Sequence, residues 1–176
     1  MKHNFTLNHK NRLLNVSLSQ VVRSVMLFIS VGLFTMHAQA QSTVTLTATA
    51  DNEIWTGNTG FNYGGCNLLY IDGGSPIDRA MIKFDLSSIP AGATITAATL
   101  TLYKTSGDAN AQTFAVHRMT NDWTEGSAGC GGTAGVSNWL QRVTGTNWNT
   151  AGGDFNATAE ATTSVGGSVG NYSWNV

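Results

Sequence analysis

The sequence predicts an all-β protein built as an antiparallel β-sandwich, and three observations support this fold class. Short apolar runs alternate with polar residues, glycine or asparagine separates the runs, and no stretch has the spacing of an amphipathic helix. The sequence also shows no internal repeat of fixed period, which a propeller or a solenoid requires. Strands with one apolar face bury that face most simply by packing two sheets together.

Each predicted strand is a short run with period-2 alternation or β-branched residues. The predicted strands are Thr43–Ala50, Asn67–Ile71, Ala80–Phe84, Ile95–Lys104, Thr113–Met119, a short piece near Trp139 and Gln141, and Tyr172–Val176. Two stretches rich in glycine and small polar residues, Gly126–Gly135 and Gly152–Gly170, are predicted to be long loops.

The stretch from Arg79 to Tyr103 has the clearest strand pattern. In its first half, Ala80, Ile82, Phe84 and Leu86 alternate with Arg79, Met81, Lys83 and Asp85, which predicts one buried face and one open face. Pro90 and Gly92 then favour a turn. We therefore expect these two strands to pair as an antiparallel hairpin.

The amino-acid sequence of this stretch also resembles that of a known family. FDLSSIPAGATITAATLTLY, which ends at Tyr103, resembles the DNRLRE domain, also classified as carbohydrate-binding module family 96. The resemblance covers about Thr45 to Val176. The other motifs that carry it are Asp51 with Asn62-Tyr63-Gly64, His117-Arg118-Met119-Thr120, and Trp123-Thr-Glu125. It implies a jelly-roll-like β-sandwich that binds polysaccharide, with alginate as the associated ligand class and with no catalysis of its own.

Residues 1–40 have the features of a signal peptide. Four basic residues precede the apolar run Val25 to Met36, and Ala38-Gln39-Ala40 offers a small-residue cleavage site. A membrane anchor is the alternative, but this run is shorter than the roughly 20 residues of a spanning helix. We expect a secreted or cell-surface protein whose single domain is residues 41–176, with no membrane span after cleavage.

Charge restricts the partners of residues 41–176, which hold five Lys or Arg against ten Asp or Glu. Such an acidic surface repels the phosphates of nucleic acids and the headgroups of anionic lipids. It also disfavours anionic glycans, so a neutral glycan stays open as an alternative to alginate.

Two further expectations concern the limits and cross-links of the domain. Cys66 and Cys130 are predicted to form a disulfide in an exported protein, although two buried thiols remain an alternative. Asn171–Val176 reads as the start of a strand, and by the resemblance the family pattern continues beyond it. The domain is therefore expected to be incomplete at its C-terminus.

Catalysis is not expected, because His117 is the one histidine of residues 41–176 and no nucleophile-elbow or related motif occurs. Asp122 and Glu125 could be the carboxylates of a hydrolase or lyase, but residues this close in sequence more often cap a turn. A structural or adhesive cell-surface module without glycan binding is the other alternative.

Sugar binding requires aromatic faces and fixed polar groups. The predicted ligand-binding residues are Arg79 and Lys83, which share one strand face, together with Tyr103 and Trp55 as stacking rings. Thr99, Thr101 and Tyr103 of the neighbouring strand would complete a platform. A second ligand-binding surface could comprise Trp139, Arg142 and Trp148. The other two tryptophans, Trp123 and Trp174, are expected in the core. No cofactor is certain, and a structural calcium ion held by Asp51, Asn52 and Glu53 or by Asp72 stays open.

Overall fold

The computed structural model describes residues 5–8, 13–21 and 39–176, with side chains from residue 41 onward. Within these ranges the chain forms thirteen strands and one 3-10 helix, Thr56–Asn58. The strands are β1 (Phe5–Asn8), β2 (Leu13–Val21), β3 (Gln39–Trp55), β4 (Phe61–Asn62), β5 (Leu68–Ile71), β6 (Asp78–Phe84), β7 (Thr94–Gly107), β8 (Gln112–Val116), β9 (Thr133–Ala134), β10 (Gln141–Val143), β11 (Thr146–Asn147), β12 (Ala161–Val165) and β13 (Gly170–Asn175).

The predicted all-β fold class is confirmed, and every strand pair in the described residues is antiparallel. The seven predicted strands correspond to β3, β5, β6, β7, β8, β10 and β13. The prediction of a loop over Gly152–Gly170 was wrong at Ala161–Val165, because this run pairs with β8. Its alternating Thr and Ala residues are β-compatible, but glycine on both sides obscured them.

Most strands belong to one large sheet with the order β5-β1-β7-β2-β3-β6, in which β13 also pairs with β7. The long strand β3 changes partner along its length: residues 39–47 pair with β2, and residues 48–55 pair with β6. The β8–β12 ladder packs across this sheet, where the indole Nε1–H of Trp174 donates to the carbonyl of Phe114 at 2.9 Å. Together the two layers form a β-sandwich.

The predicted hairpin between the strands around Arg79 and Tyr103 is wrong. β6 pairs with β3, from Trp55 opposite Asp78 to Ala48 opposite Phe84, whereas β7 pairs with β1, β2 and β13. Alternation along a strand records which face is buried, but it does not identify the neighbouring strand. The turn at Pro90 and Gly92 therefore connects strands that lie apart in the sheet order.

Two main cores lie on opposite faces of β6. The aliphatic cluster is made of Leu69, Leu100, Leu102, Val165 and Trp174, against which Ala80, Ile82 and Phe84 pack. The tryptophan cluster is made of Ile54, Met81, Trp123 and Trp148, with Met119 and Trp139 packed against it. The face of β6 that the sequence predicted to be open is therefore covered, and the expected core positions of Trp123 and Trp174 are confirmed.

The signal-peptide prediction stays a prediction, since the apolar run Val25–Met36 lies outside the described residues. Residues 5–8 and 13–21, which belong to the same predicted leader, form β1 and β2 of the large sheet. No helix in the described ranges is long and apolar enough to cross a bilayer. The expectations of a single domain over 41–176 and of an incomplete C-terminus also stay predictions.

Candidate functional site

A cleft of about 1220 Å³ opens between β6 and the chain that follows β8. Its inner part is apolar, and residues of the aliphatic cluster and of β6 line it. Its charged or titratable lining residues are Arg79, Lys83, His117, Arg118, Asp122 and Glu160. The cleft thus combines apolar surface with charged groups, which is the composition of a site for an amphipathic ligand such as a sugar.

Arg79 is held in the cleft by two aromatic rings. Its guanidinium carbon lies 4.9 Å from the ring centroid of Trp139 and 5.2 Å from that of Phe155, and Nη1 donates to the carbonyl of Gly152 at 2.6 Å. Partial burial lowers the pKa of Arg79, because desolvation disfavours the cation. No carboxylate forms an ion pair with Arg79 within the described ranges. The stack fixes a positive charge whose remaining N–H donors are available to a ligand.

Gly152 is required for this arrangement. Its φ is +93°, and a Cβ atom at this position would lie 2.6 Å from Nη1 of Arg79 and 2.7 Å from the Trp139 ring. Any larger residue would therefore combine backbone strain with a clash. The carbonyl that accepts from Arg79 depends on this glycine.

Lys83 lies two residues beyond Met81 on the same face of β6. Its Nζ donates to the carboxylate of Asp122 and to the carbonyl of Trp123, at 2.8 Å in the second case, and lies 5.1 Å from the Trp123 ring centroid. The hydrogen bond from Lys83 is the largest of the causes that lower the pKa of Asp122. Arg79 and Lys83 are four residues apart, so a regular strand separates them by about 13 Å.

Arg118 is the third cation that lines the cleft. Arg118 is 71 % exposed at its side chain, and its Nε lies 3.7 Å from a carboxylate oxygen of Glu160. Next to it, the His117 ring is anchored by the carbonyl of Asn156 at 2.8 Å.

The distribution of charge sets the cleft apart from the rest of residues 41–176. Three of the five Lys and Arg residues line it, but only two of the ten Asp and Glu residues do. The lining of the cleft therefore has a net charge of +1 on an acidic protein. Lys83 and Arg118 are paired with Asp122 and Glu160, so Arg79 supplies the excess positive charge.

The model of carbohydrate-binding module family 96 matches residues 42–129, which are half of the chain. The chain belongs to this family. No curated protein and no solved structure matches it. As a family 96 module, the protein carries Arg79, Lys83 and Arg118 inside the matched region, whereas Trp139, Gly152 and Phe155 lie outside it.

The family motifs that contain Asn62 and Glu125 have a structural role in this fold. The buried amide Nδ2 of Asn62 donates to the carbonyls of Glu125 at 2.6 Å and of Ser137 at 2.9 Å, and Nδ2 of Asn52 donates to the Ser137 hydroxyl at 2.7 Å. A Cβ at Gly64 would collide with the Glu125 backbone. A carboxylate oxygen of Glu125 accepts from the Asp51 N–H at 2.7 Å, so the backbone and the side chain of Glu125 both join separate chain segments.

A disulfide reinforces the same junction, and this prediction is confirmed. Cys66 and Cys130 are bonded and close a loop with a sequence separation of 64. Beside the bridge, the Gly65 N–H donates to the Ala128 carbonyl at 2.8 Å. The glycine-rich stretch Gly126–Gly135, which also contributes β9, is thereby tied to the start of β5.

Two predicted site residues lie elsewhere. Tyr103 is half-buried on β7 opposite Asn171 of β13, and it does not line the cleft. Trp55 ends β3 and is not in a loop; it packs against Tyr63 with ring centroids 6.5 Å apart. The platform of β6 cations with Thr99, Thr101 and Tyr103 was wrong, because β6 and β7 are not neighbours in the sheet.

The second predicted ligand-binding surface, made of Trp139, Arg142 and Trp148, is only partly exposed. Trp148 is 5 % exposed within the tryptophan cluster, and its Nε1–H donates to the Asn138 carbonyl at 2.8 Å. Trp139 lies under Arg79, and Arg142 donates to the Asp122 carbonyl at 3.1 Å. Sequence reasoning missed Phe155 and Glu160 in the cleft. The Gly152-Gly153 pair was the available signal, since it marks a tight turn that brings Phe155 back.

Two of the acidic residues considered for calcium, Glu53 and Asp72, are buried and accept hydrogen bonds. A carboxylate oxygen of Glu53 accepts from the Tyr70 N–H at 3.0 Å, and one of Asp72 accepts from the Gly74 N–H at 2.7 Å. Burial, with a smaller contribution from Asp78, raises the pKa of Glu53 to about 7. Among the described residues, no group of three or more His, Cys, Asp or Glu side chains is placed to hold a metal ion. The calcium alternative stays a prediction.

Proposed function

We propose that this family 96 module is a non-catalytic part of a secreted protein and binds a uronate polysaccharide, such as alginate, in the cleft. The observation that carries the proposal is the concentration of cations there: Arg79, Lys83 and Arg118 against Asp122 and Glu160. This local excess of one positive charge weakens the objection that the acidic net charge raised against an anionic glycan. In longer proteins, attached catalytic or anchoring domains would use the module to reach their polysaccharide.

The separation of the cations favours a polymer over a single sugar. Arg79 and Lys83 are about 13 Å apart along β6, which is longer than one pyranose ring. The planar fork of Arg79 suits a carboxylate, and the stack on Trp139 and Phe155 orients it before the ligand arrives. The Phe155 ring also supplies an apolar surface for sugar C–H groups, a role that the sequence assigned to Tyr103 and Trp55.

The carboxylates of the cleft support binding without catalysis. A glycosidase needs one carboxylic acid that stays protonated near neutral pH. Asp122 has the opposite property, since its bond to Lys83 lowers its pKa.

Calorimetry of the protein with alginate and with a neutral β-glucan tests the proposal. We expect binding to alginate that weakens as salt rises from 50 to 500 mM, because ionic contacts are screened. Arg118→Gln should weaken binding about fivefold and Arg79→Gln about 30-fold. Arg142→Gln is the control for net charge: this cation contacts Asp122 but does not line the cleft, so its loss should weaken binding by no more than about twofold.

Three results would contradict the proposal. Equal losses in Arg79→Gln and Arg142→Gln would mean that net charge, and not the cleft, governs binding. Binding to the neutral glucan alone would remove the role of the cations. A folded protein that binds neither glycan would favour the structural or adhesive module, and shortening of the polymer would establish an enzyme.

A further inference from the structure

The centre of the large sheet contains a position that residues 5–21 fill. On one edge of this position lies β7, whose residues 94–101 pair with β2 and whose residues 104–107 pair with β1. On the other edge lie β3, which pairs with β2 over residues 39–47, and β5, which pairs with β1. Without this segment, three strands lose a hydrogen-bonded neighbour, and the sheet opens between β7 and β3.

The register of β2 matches the buried face of both neighbours. Position 14 stands opposite Leu46 of β3 and Leu100 of β7, which are 8 % and 7 % exposed. Position 16 stands opposite Val44 and Ala98. The occupants are Leu14 and Val16, whereas Asn15 and Ser17 take the alternate positions. Since a slip of one residue would exchange the two faces, the pairing selects an alternating apolar pattern.

This position conflicts with the predicted removal of residues 1–40. Removal would expose the backbone N–H and C=O groups of β7, β3 and β5 along their inner edges. It would also uncover Leu46 and Leu100 of the core. A sheet that is open through its centre pairs readily with another strand.

We propose that the position between β7 and β3 is a strand-acceptor site. Its occupant is an extended polypeptide with apolar residues at alternate positions. That occupant is a strand of another polypeptide, which takes the place that residues 13–21 hold in the uncleaved chain. Hydrogen bonds to both edges supply affinity, and the core-face positions supply specificity. The inference is independent of the glycan-binding proposal.

Strand exchange in the full chain tests the site. The full chain, with a site-specific protease sequence placed within residues 22–38, is refolded under oxidising conditions in vitro so that no leader is removed. Cutting then leaves residues 13–21 bound without a covalent link. A fluorescent peptide of residues 11–23 is added in excess, and its incorporation is followed by anisotropy and native mass spectrometry.

Two peptides with matched substitutions distinguish a sheet position from nonspecific adhesion. Leu14→Asp with Val16→Asp places charge at the core-face positions and should weaken incorporation about 100-fold. Asn15→Asp with Ser17→Asp adds the same charge at the alternate positions and should retain binding within about threefold. Loss of affinity confined to the first peptide supports the site.

The remaining outcomes also decide the question. If the cut protein releases the segment, stays folded and takes up no peptide, the acceptor site does not exist. If the cut protein aggregates and only the wild-type and Asn15/Ser17 peptides prevent aggregation, the site is supported. Aggregation that no peptide prevents, or equal incorporation of all three peptides, overturns the proposal.

Discussion

The two faces of β6 are buried in different ways. Ala80, Ile82 and Phe84 pack against aliphatic side chains that regular strands supply. On the opposite face, Met81 packs against tryptophans that come from the irregular chain after β8. Arg79 and Lys83 belong to this second face, where their charged groups rest on indole rings and their stems cover apolar surface. Charged residues at both ends of one strand face are therefore compatible with burial of Met81 between them.

The largest expected effect compares adjacent residues of β6 that enter different clusters. Both residues line the cleft, but Met81 is only 4 % exposed, whereas Ile82 is partly buried. Met81→Ala should lower the free energy of unfolding by about 3.5 kcal/mol, and Ile82→Ala by about half as much, because the Met81 side chain is the more completely buried of the two. Urea unfolding followed by far-UV circular dichroism measures both.

If Ile82→Ala proves the more costly substitution, the aliphatic cluster is the main core and the cleft is not open in solution. Equal costs would mean that the two faces are buried alike. Either result would remove the contrast between the faces.

A smaller effect concerns the carboxylate on the aliphatic side of β3. Glu53 stands opposite Ala80, so it shares the face that packs against the aliphatic cluster. Because its pKa rises from 4.5 to about 7 on folding, its contribution to stability is complete below pH 4.5 and is lost as the pH rises to about 7. The loss is at most about 3 kcal/mol, from 1.4 kcal/mol per pKa unit.

Glu53→Gln should abolish this pH dependence, since a neutral amide can still accept from the Tyr70 N–H. Unfolding free energies measured at pH 4.5, 5.5, 6.5 and 7.5 should fall for the wild-type protein and stay level for the variant. Parallel curves would show that Glu53 ionises normally in the folded protein.

The smallest effect belongs to the exposed side of the tryptophan cluster. Asp122→Asn weakens the ion pair with Lys83, and the Asp122 side chain is 83 % exposed. We expect a loss of about 0.5 kcal/mol at pH 7, as for other surface pairs. The wild-type advantage should vanish as the pH falls below 3.8, because the pKa of Asp122 is lowered and its protonation ends the pair. A loss as large as that of Met81→Ala would mean that the ion pair organises the cluster.

The sequence predicted the strands well where one rule decided the structure. Alternation located β6 and β7, and the oxidising context identified the Cys66–Cys130 bridge. Strand neighbours were not predictable by the same rule, since β6 pairs with β3, more than 20 residues upstream of it in sequence. The order of strands depends on tertiary packing, which local patterns do not encode.

The candidate site was predicted only in part, for the same reason. Arg79 and Lys83 were identified from their shared strand face, and both line the cleft. Their aromatic partners, Trp139 and Phe155, lie about 60 residues or more further along the sequence, in irregular chain. The path of this chain depends on hydrogen bonds such as the one that Arg79 donates to the Gly152 carbonyl. Tyr103 was chosen on the assumption of a hairpin that does not form.

Because the tryptophans are unevenly distributed, their fluorescence reports mainly on one part of the protein. Trp123, Trp139 and Trp148 gather on the Met81 side of β6, Trp174 stands alone on the opposite side, and Trp55 lies near Tyr63. Indole emission is thus weighted toward one half of the molecule, while the amide signal of the strands comes from both halves. Unfolding curves from the two signals superimpose only when both halves melt as one cooperative unit. A glycan that binds beside Arg79 would also change the emission of Trp139 directly.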